Sequence, residues 1–126
     1  MLIAGGGIGG LAAAIALGRR GIKSEVLERS RFTEETGAGI QLGPNATRAL
    51  AALGVLKLIE PHAFRPEAIV IYDGLSGRKL TAVPLGRSAV ERYGAPYVTL
   101  RRADLHAGLH AAAVSTAQAT LRPGFE

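Results

Sequence analysis

The run Gly5-Gly6-Gly7-Ile8-Gly9-Gly10 constrains this chain more than any other feature. It satisfies G-x-G-x-x-G with Gly5, Gly7 and Gly10, directly after the apolar run Leu2-Ile3-Ala4. Each glycine of such a turn has its own task. Gly5 permits the tight exit from a strand, Gly7 leaves room for a pyrophosphate against the backbone, and Gly10 lets a helix pack closely on a sheet. The helix N-terminus behind the turn, with Ile8 and Gly9 in its first positions, offers N–H groups and a partial positive charge to phosphates.

A lone G-x-G-x-x-G says little, so its surroundings decide. Leu11, Ala14, Ile15 and Gly18 recur at helical spacing and give one apolar or small face. Gly21 after Arg19-Arg20 suits a helix C-terminus. Ser24-Glu25-Val26-Leu27-Glu28 then reads as a second strand, and Glu28 ends it 18 residues after Gly10. A dinucleotide site requires an acid for ribose hydroxyls at about that distance. A carboxylate there would also repel a 2′-phosphate. Strand, glycine turn, helix, strand and acid together predict an α/β fold: a Rossmann-type βαβ unit with a parallel sheet.

The chain has 126 residues, enough for one core and short for a two-domain enzyme. Its apolar runs fall short of the ~20 residues that span a bilayer. The first residues are already strand and turn rather than a secretory leader, so the expectation is a cytoplasmic protein. Without cysteine the chain makes no disulfide, thiolate metal site or cysteinyl flavin link. The net charge of +5 is spread over single residues and pairs such as Arg19-Arg20 and Arg101-Arg102. With aromatics at 5%, this reads as a solvated basic surface, with neither a nucleic acid nor a membrane as partner. His106 and His110 stand four apart on a predicted helix, but no further ligand pattern supports a metal site.

Further along, Ser30 to Glu35 reads as a polar loop, and Gly37 to Asn45 as a loop with special backbone angles. Asn45 would cap a helix over 46–53 that Gly54 ends, and Val55 to Glu60 adds a turn or two before Pro61. Ala68 to Tyr72 and Lys79 to Leu85 flank turn pairs and predict a hairpin. The stretch from Gly86 to Pro96 reads as connection, and Tyr97 to Leu100 as a strand. A helix carrying Leu105 and Leu109 follows, then a last strand from Thr120. The organisation read is 1–60 as the βαβ unit and following helices, 66–100 as a hairpin and strand excursion, and 101–126 as the return helix and the start of a further parallel strand. Two clear parallel strands and part of a third read as an incomplete domain, the front of a longer protein.

Gly5 to Gly10, Glu28-Arg29, Gly37-Ala38-Gly39-Ile40-Gln41, Pro44-Asn45-Ala46, Tyr93 to Tyr97 and Arg102-Ala103-Asp104-Leu105 occur in one order. In that order the chain resembles the single-component flavin-dependent aromatic hydroxylases, in particular the salicylate and 3-hydroxybenzoate 6-hydroxylase group. The resemblance implies FAD as cofactor, NADH or NADPH as co-substrate, and O₂ as the source of an oxygen atom placed on a small aromatic substrate. It implies that the hairpin belongs to a substrate-domain sheet, and that the chain alone is inactive. Another FAD-dependent oxidoreductase, or a non-catalytic flavin-binding remnant, is the alternative. The resemblance implies cofactor contacts for Gly5, Gly7, Ile8, Gly9, Gly10 and Glu28. Arg102 would reach the phosphates, for which a planar guanidinium is suited. Arg29 would act near the adenine or stay solvated, and Gln41 would bond the flavin side or hold its loop. Asp104 would cap its helix, the pairing alternative being a salt bridge between Arg102 and Asp104.

Overall fold

The computed structural model describes residues 1–31 and 38–125. Strand β1 (Leu2–Ala4) enters the glycine turn and helix α1 (Ile8–Gly18) leaves it. Leu11, Ala14, Ile15 and Gly18 form the buried face of α1, the face their spacing dictates. Gly18 belongs there for its size, because a Cβ would run into Thr116. Gly21 takes φ +73°, and the Ile22 N–H donates to the Leu17 carbonyl at 3.0 Å. These features satisfy carbonyls that the last helical turn leaves open.

Strand β2 (Ser24–Glu28) runs parallel to β1, with Ile3 opposite Val26, and closes the βαβ unit. Its other neighbour is β7 (Ala119–Pro123), also parallel, with Val26 opposite Leu121, so the sheet order is β1-β2-β7. Residues in register share a face. Ile3, Val26 and Leu121 therefore point together, and Ile8, Leu121 and their neighbours join the main core. The opposite face carries Leu2, 70% exposed, and an ion pair between Arg122 and Glu25 at 2.6 Å.

Between β2 and β7 the chain makes β3 (Gly39–Leu42), α2 (Pro44–Ala52), α3 (Leu56–Ile59) and a 3₁₀ turn at Glu60–His62. Strands β4 (Ala68–Tyr72) and β5 (Lys79–Pro84) form the antiparallel hairpin, followed by α4 (Gly86–Tyr93). Strand β6 (Val98–Arg101) pairs antiparallel with β3 and feeds α5 (Arg102–Val114). The core gathers Leu11 and Ile15 of α1, Leu42, Leu50, Val55 and Ile59, Val98 and Leu100 of β6, and Leu105, Leu109 and Ala113 of α5. α5 packs on α1 and touches β7, so it braces the βαβ unit from beside α1.

The structure corrects several expectations. Of the stretch read as a loop from Gly37 to Asn45, Gly39 to Leu42 is a strand. Its partner β6 lies more than fifty residues away, and pairing aligns Ile40 with Leu100 and Leu42 with Val98. Neither Gly39 nor Gly43 needs a positive φ. Gly37 and the polar loop from Phe32 onward lie outside the described residues. Asn45 is no cap: Gly43 is the N-cap of α2 and Pro44 its first residue. Proline suits that position because its ring presets φ and its missing N–H has no bond to lose there. The stretch from Gly86 to Tyr93, read as connection, is helix α4, stopped by Gly94 at φ +72°. Ala89 is its buried residue, and Val90 and Tyr93 stay exposed.

Candidate functional site: a glycine turn between two side-chain clamps

The glycine turn sits at the carboxyl end of β1, beside the carboxyl end of β2, where ligands of open α/β sheets bind. Its glycines separate by function. Gly5 has φ +97°, a conformation that L side chains rarely adopt. Its N–H donates to the Leu27 carbonyl at 2.8 Å, tying the turn to β2. A Cβ on Gly10 would run into the Gly5 carbonyl and come within 3.3 Å of Ile3, so Gly10 sets how closely α1 lies on the sheet. Around Gly7 and Gly9 a Cβ would meet nothing within 4 Å. Gly7, the N-cap of α1, is extended (φ −72°, ψ −175°) and has no side-chain cap bond. Its carbonyl accepts the first helical bond, from the Leu11 N–H at 3.0 Å, so the N–H groups of Ile8, Gly9 and Gly10 precede the helical ladder. The backbone thus leaves open space at Gly7 and Gly9 beside helix N-terminal donors, a polarity that suits a pyrophosphate.

Glu28 closes one side. Its Oε2 accepts the Gly6 N–H at 2.6 Å, and its Oε1 accepts the Ser30 N–H at 2.8 Å. The Ser30 bond, then the Gly6 bond, hold its carboxyl below the ordinary 4.5, against a small opposing effect of burial. The acid is therefore ionised at neutral pH and lies against the turn. Arg29 is exposed just past β2, and its charge lowers Glu28 slightly further.

The other side is closed from 100 residues away. His106, on the inner face of α5 and 6% exposed, has Nε2 at 2.9 Å from the Gly6 carbonyl, to which it donates. In the sequence this histidine stands out as one of a pair four residues apart. Among the described residues no cluster of metal-ligating side chains occurs. His110, one turn on, is held below the ordinary imidazole value by burial and then by His106. The available signal was position: His106 follows Arg102 by four residues, so the two lie on one side of α5, and His106 is the one that reaches the glycine turn.

Arg102 opens α5, its N–H on the Ala38 carbonyl at 3.3 Å. The salt bridge considered for Arg102 belongs to Arg101, which grips both oxygens of Asp104 at 2.8 Å. Asp104 is not the cap of α5: Arg101 occupies that position, and Asp104 sits in the first turn, its carboxyl held low by Arg101. Gln41 lies on the β3–β6 pair, where its Oε1 accepts the Tyr97 hydroxyl at 2.7 Å.

A parallel βαβ unit with a glycine turn, an open helix N-terminus and an acid at the end of the second strand defines a dinucleotide-binding α/β protein. The family model described as "FAD binding domain" matches residues 1–122, and the chain belongs to that family. It is 45% identical over 109 residues to the 3-hydroxybenzoate 6-hydroxylase of Polaromonas naphthalenivorans (strain CJ2), covering 86% of this chain and 27% of that protein. It is 40% identical over 126 residues to 3-hydroxybenzoate 6-hydroxylase 1 of Aquipseudomonas alcaligenes, covering 100% of this chain and 32% of that one. Among solved structures, the tetrameric form of 2-methyl-3-hydroxypyridine-5-carboxylic acid oxygenase matches 98% of this chain and 30% of its own, with TM-score 0.81 and 27% identity. The chain spans about a third or less of the length of these relatives. Among the described residues no helix is long and apolar enough to cross a membrane.

Proposed function

We propose that this chain holds the adenosine and pyrophosphate half of FAD in a flavin-dependent aromatic hydroxylase. The observation that carries this reading is the ionised Glu28 carboxylate, 2.6 Å from the Gly6 N–H, beside an open turn whose second glycine leaves space for phosphate. In this reading Glu28 takes the ribose hydroxyls, and the N–H groups at Gly7, Ile8, Gly9 and Gly10 face the pyrophosphate. Arg102 reaches the phosphates from α5, Arg29 lies by the adenine, and Gln41 serves the flavin side. Bound FAD supplies the redox chemistry, with NADH or NADPH as reductant and O₂ as the oxygen source. The relatives are named for hydroxybenzoate and a hydroxypyridine carboxylic acid, which supports a small aromatic acid as substrate class. Reliance on a nicotinamide reductant supports a cytoplasmic location.

Gly7→Val is the test. Its backbone is one any residue adopts, and its Cβ meets nothing, so valine fits the fold but fills the phosphate space. The chain replaces the matching segment of the Polaromonas hydroxylase, and flavin content is read from visible absorbance. The wild-type graft should purify yellow, and Gly7→Val should be colourless with unchanged helix content. Equal flavin in both removes the assignment.

A further inference from the structure

We propose that His106 is a positioning residue that fixes which way the Gly6–Gly7 peptide faces, and thereby aims the Gly7 N–H at the cofactor's pyrophosphate. The inference rests on the FAD reading of the site. A trans peptide is planar, and its C=O and N–H point in opposite directions. The Gly6 carbonyl and the Gly7 N–H belong to one such plane. Holding the carbonyl against His106 Nε2 at 2.9 Å, toward α5, turns the Gly7 N–H away from α5. A peptide between two glycines is the kind most easily rotated, because neither neighbour has a Cβ to restrict φ and ψ. Rotated by half a turn, it would show a carbonyl oxygen to the phosphates in place of a donor.

The preceding peptide is fixed in the same manner, its Gly6 N–H on Glu28 Oε2 at 2.6 Å, and the one before it through the Gly5 N–H on Leu27. Three successive peptides of the turn are thus held by β2 and α5, two of them by side chains. His106 is 6% exposed, so water competes poorly for the bond.

The experiment titrates ADP and adenosine into the flavin-free grafted hydroxylase, labelled with ¹⁵N, and reads binding by calorimetry. ADP carries the pyrophosphate, and adenosine only the ribose and base. His106→Leu should weaken ADP about tenfold, the effect of one lost hydrogen bond. It should leave adenosine within about twofold, because Glu28 is untouched. His106→Gln, which restores a donor of similar reach, should recover most of the ADP affinity. Unchanged ADP binding in His106→Leu overturns the proposal. So does equal loss of both ligands, which marks a merely structural residue, or failure of glutamine to rescue. Should His106→Leu not fold, the wild-type imidazole ¹⁵N spectrum decides: a proton on Nε2 supports the contact, and a bare Nε2 overturns it. A wild-type graft that binds neither ligand, with Nε2 protonated, overturns the FAD reading itself and this role with it.

Discussion

Glu28 uses both carboxylate oxygens on backbone N–H groups, which places its titration below the ordinary glutamate range. The sign follows from linkage. A carboxyl with a lowered folded-state value contributes stability that is fully present above its unfolded value and is lost as pH falls through the lowered one. The Glu28 contribution to folding stability should therefore be level above its ordinary 4.5 and decline below it, and Glu28→Gln should lose that acid limb in urea melts run across pH. Glu28→Ala should weaken FAD about ten- to a hundredfold, taking roughly 1.5–3 kcal/mol for bonds to a charged group. A fluorescence titration giving the wild-type constant would reduce Glu28 to a surface acid. The neighbouring arginines illustrate what the sequence could not say. The resemblance singles out Arg102 of the Arg101-Arg102 pair, but only the structure shows that Arg101 grips Asp104 and that Arg102 lies one helical turn before His106. Arg102→Ala should thus lower FAD retention more than Arg101→Ala. The opposite ranking in a side-by-side gel-filtration assay would show the register to be wrong.

At the scale of elements, the βαβ unit was legible because its signals are local. The α1 face, Gly21 and the strand before Glu28 lie within thirty residues of one another. Strand β3 was not, because its evidence is a partner across the chain, and the glycines around Ile40 and Leu42 mimic a loop. Helix α4 escaped for another reason: Ala89, Val90 and Tyr93 do recur at helical spacing, but the short segment lies between Pro84 and Gly94-Ala95-Pro96, whose turn residues read as connection. The glycine turn yields a prediction of this kind. Gly10→Ala must push its Cβ into the Gly5 backbone, so it should destabilise the chain by about 1–3 kcal/mol, the cost of overpacking. Gly9→Ala points into open space and should stay within about 0.5 kcal/mol of wild type. Urea melts of the two variants make the comparison, and equal midpoints would mean that α1 does not lie as closely on β1 as described.

For the molecule as a whole, what is exposed matters as much as what is packed. Hairpin strands β4 and β5 leave Ile69, Val70, Ile71, Tyr72, Leu80 and Val83 accessible, and Leu2 stands open on the parallel sheet. Apolar surface of this extent favours association. In the proposed reading this chain serves the adenosine end of a long ligand. Alone, it should bind FAD weakly or not at all, and it should hydroxylate nothing. Residual NADPH oxidation should yield peroxide, since a flavin open to water loses its oxygen to side reactions. Incubation of residues 1–126 with FAD, NADPH and a panel of phenolic acids, followed by mass analysis, is the check. Stoichiometric hydroxylated product would relocate the active site into this chain.

The bond between His106 and Gly6 also has a schedule. The glycine turn leaves the ribosome well before the side chain that holds its carbonyl, which is 100 residues downstream, and β7, the second neighbour of β2, comes later still. At about 5–20 residues per second, roughly 5–20 s of synthesis separate the two. A nascent chain therefore carries a Gly6 carbonyl without its His106 partner until α5 has been made, and on the proposed role of His106 cofactor loading should follow translation of that helix.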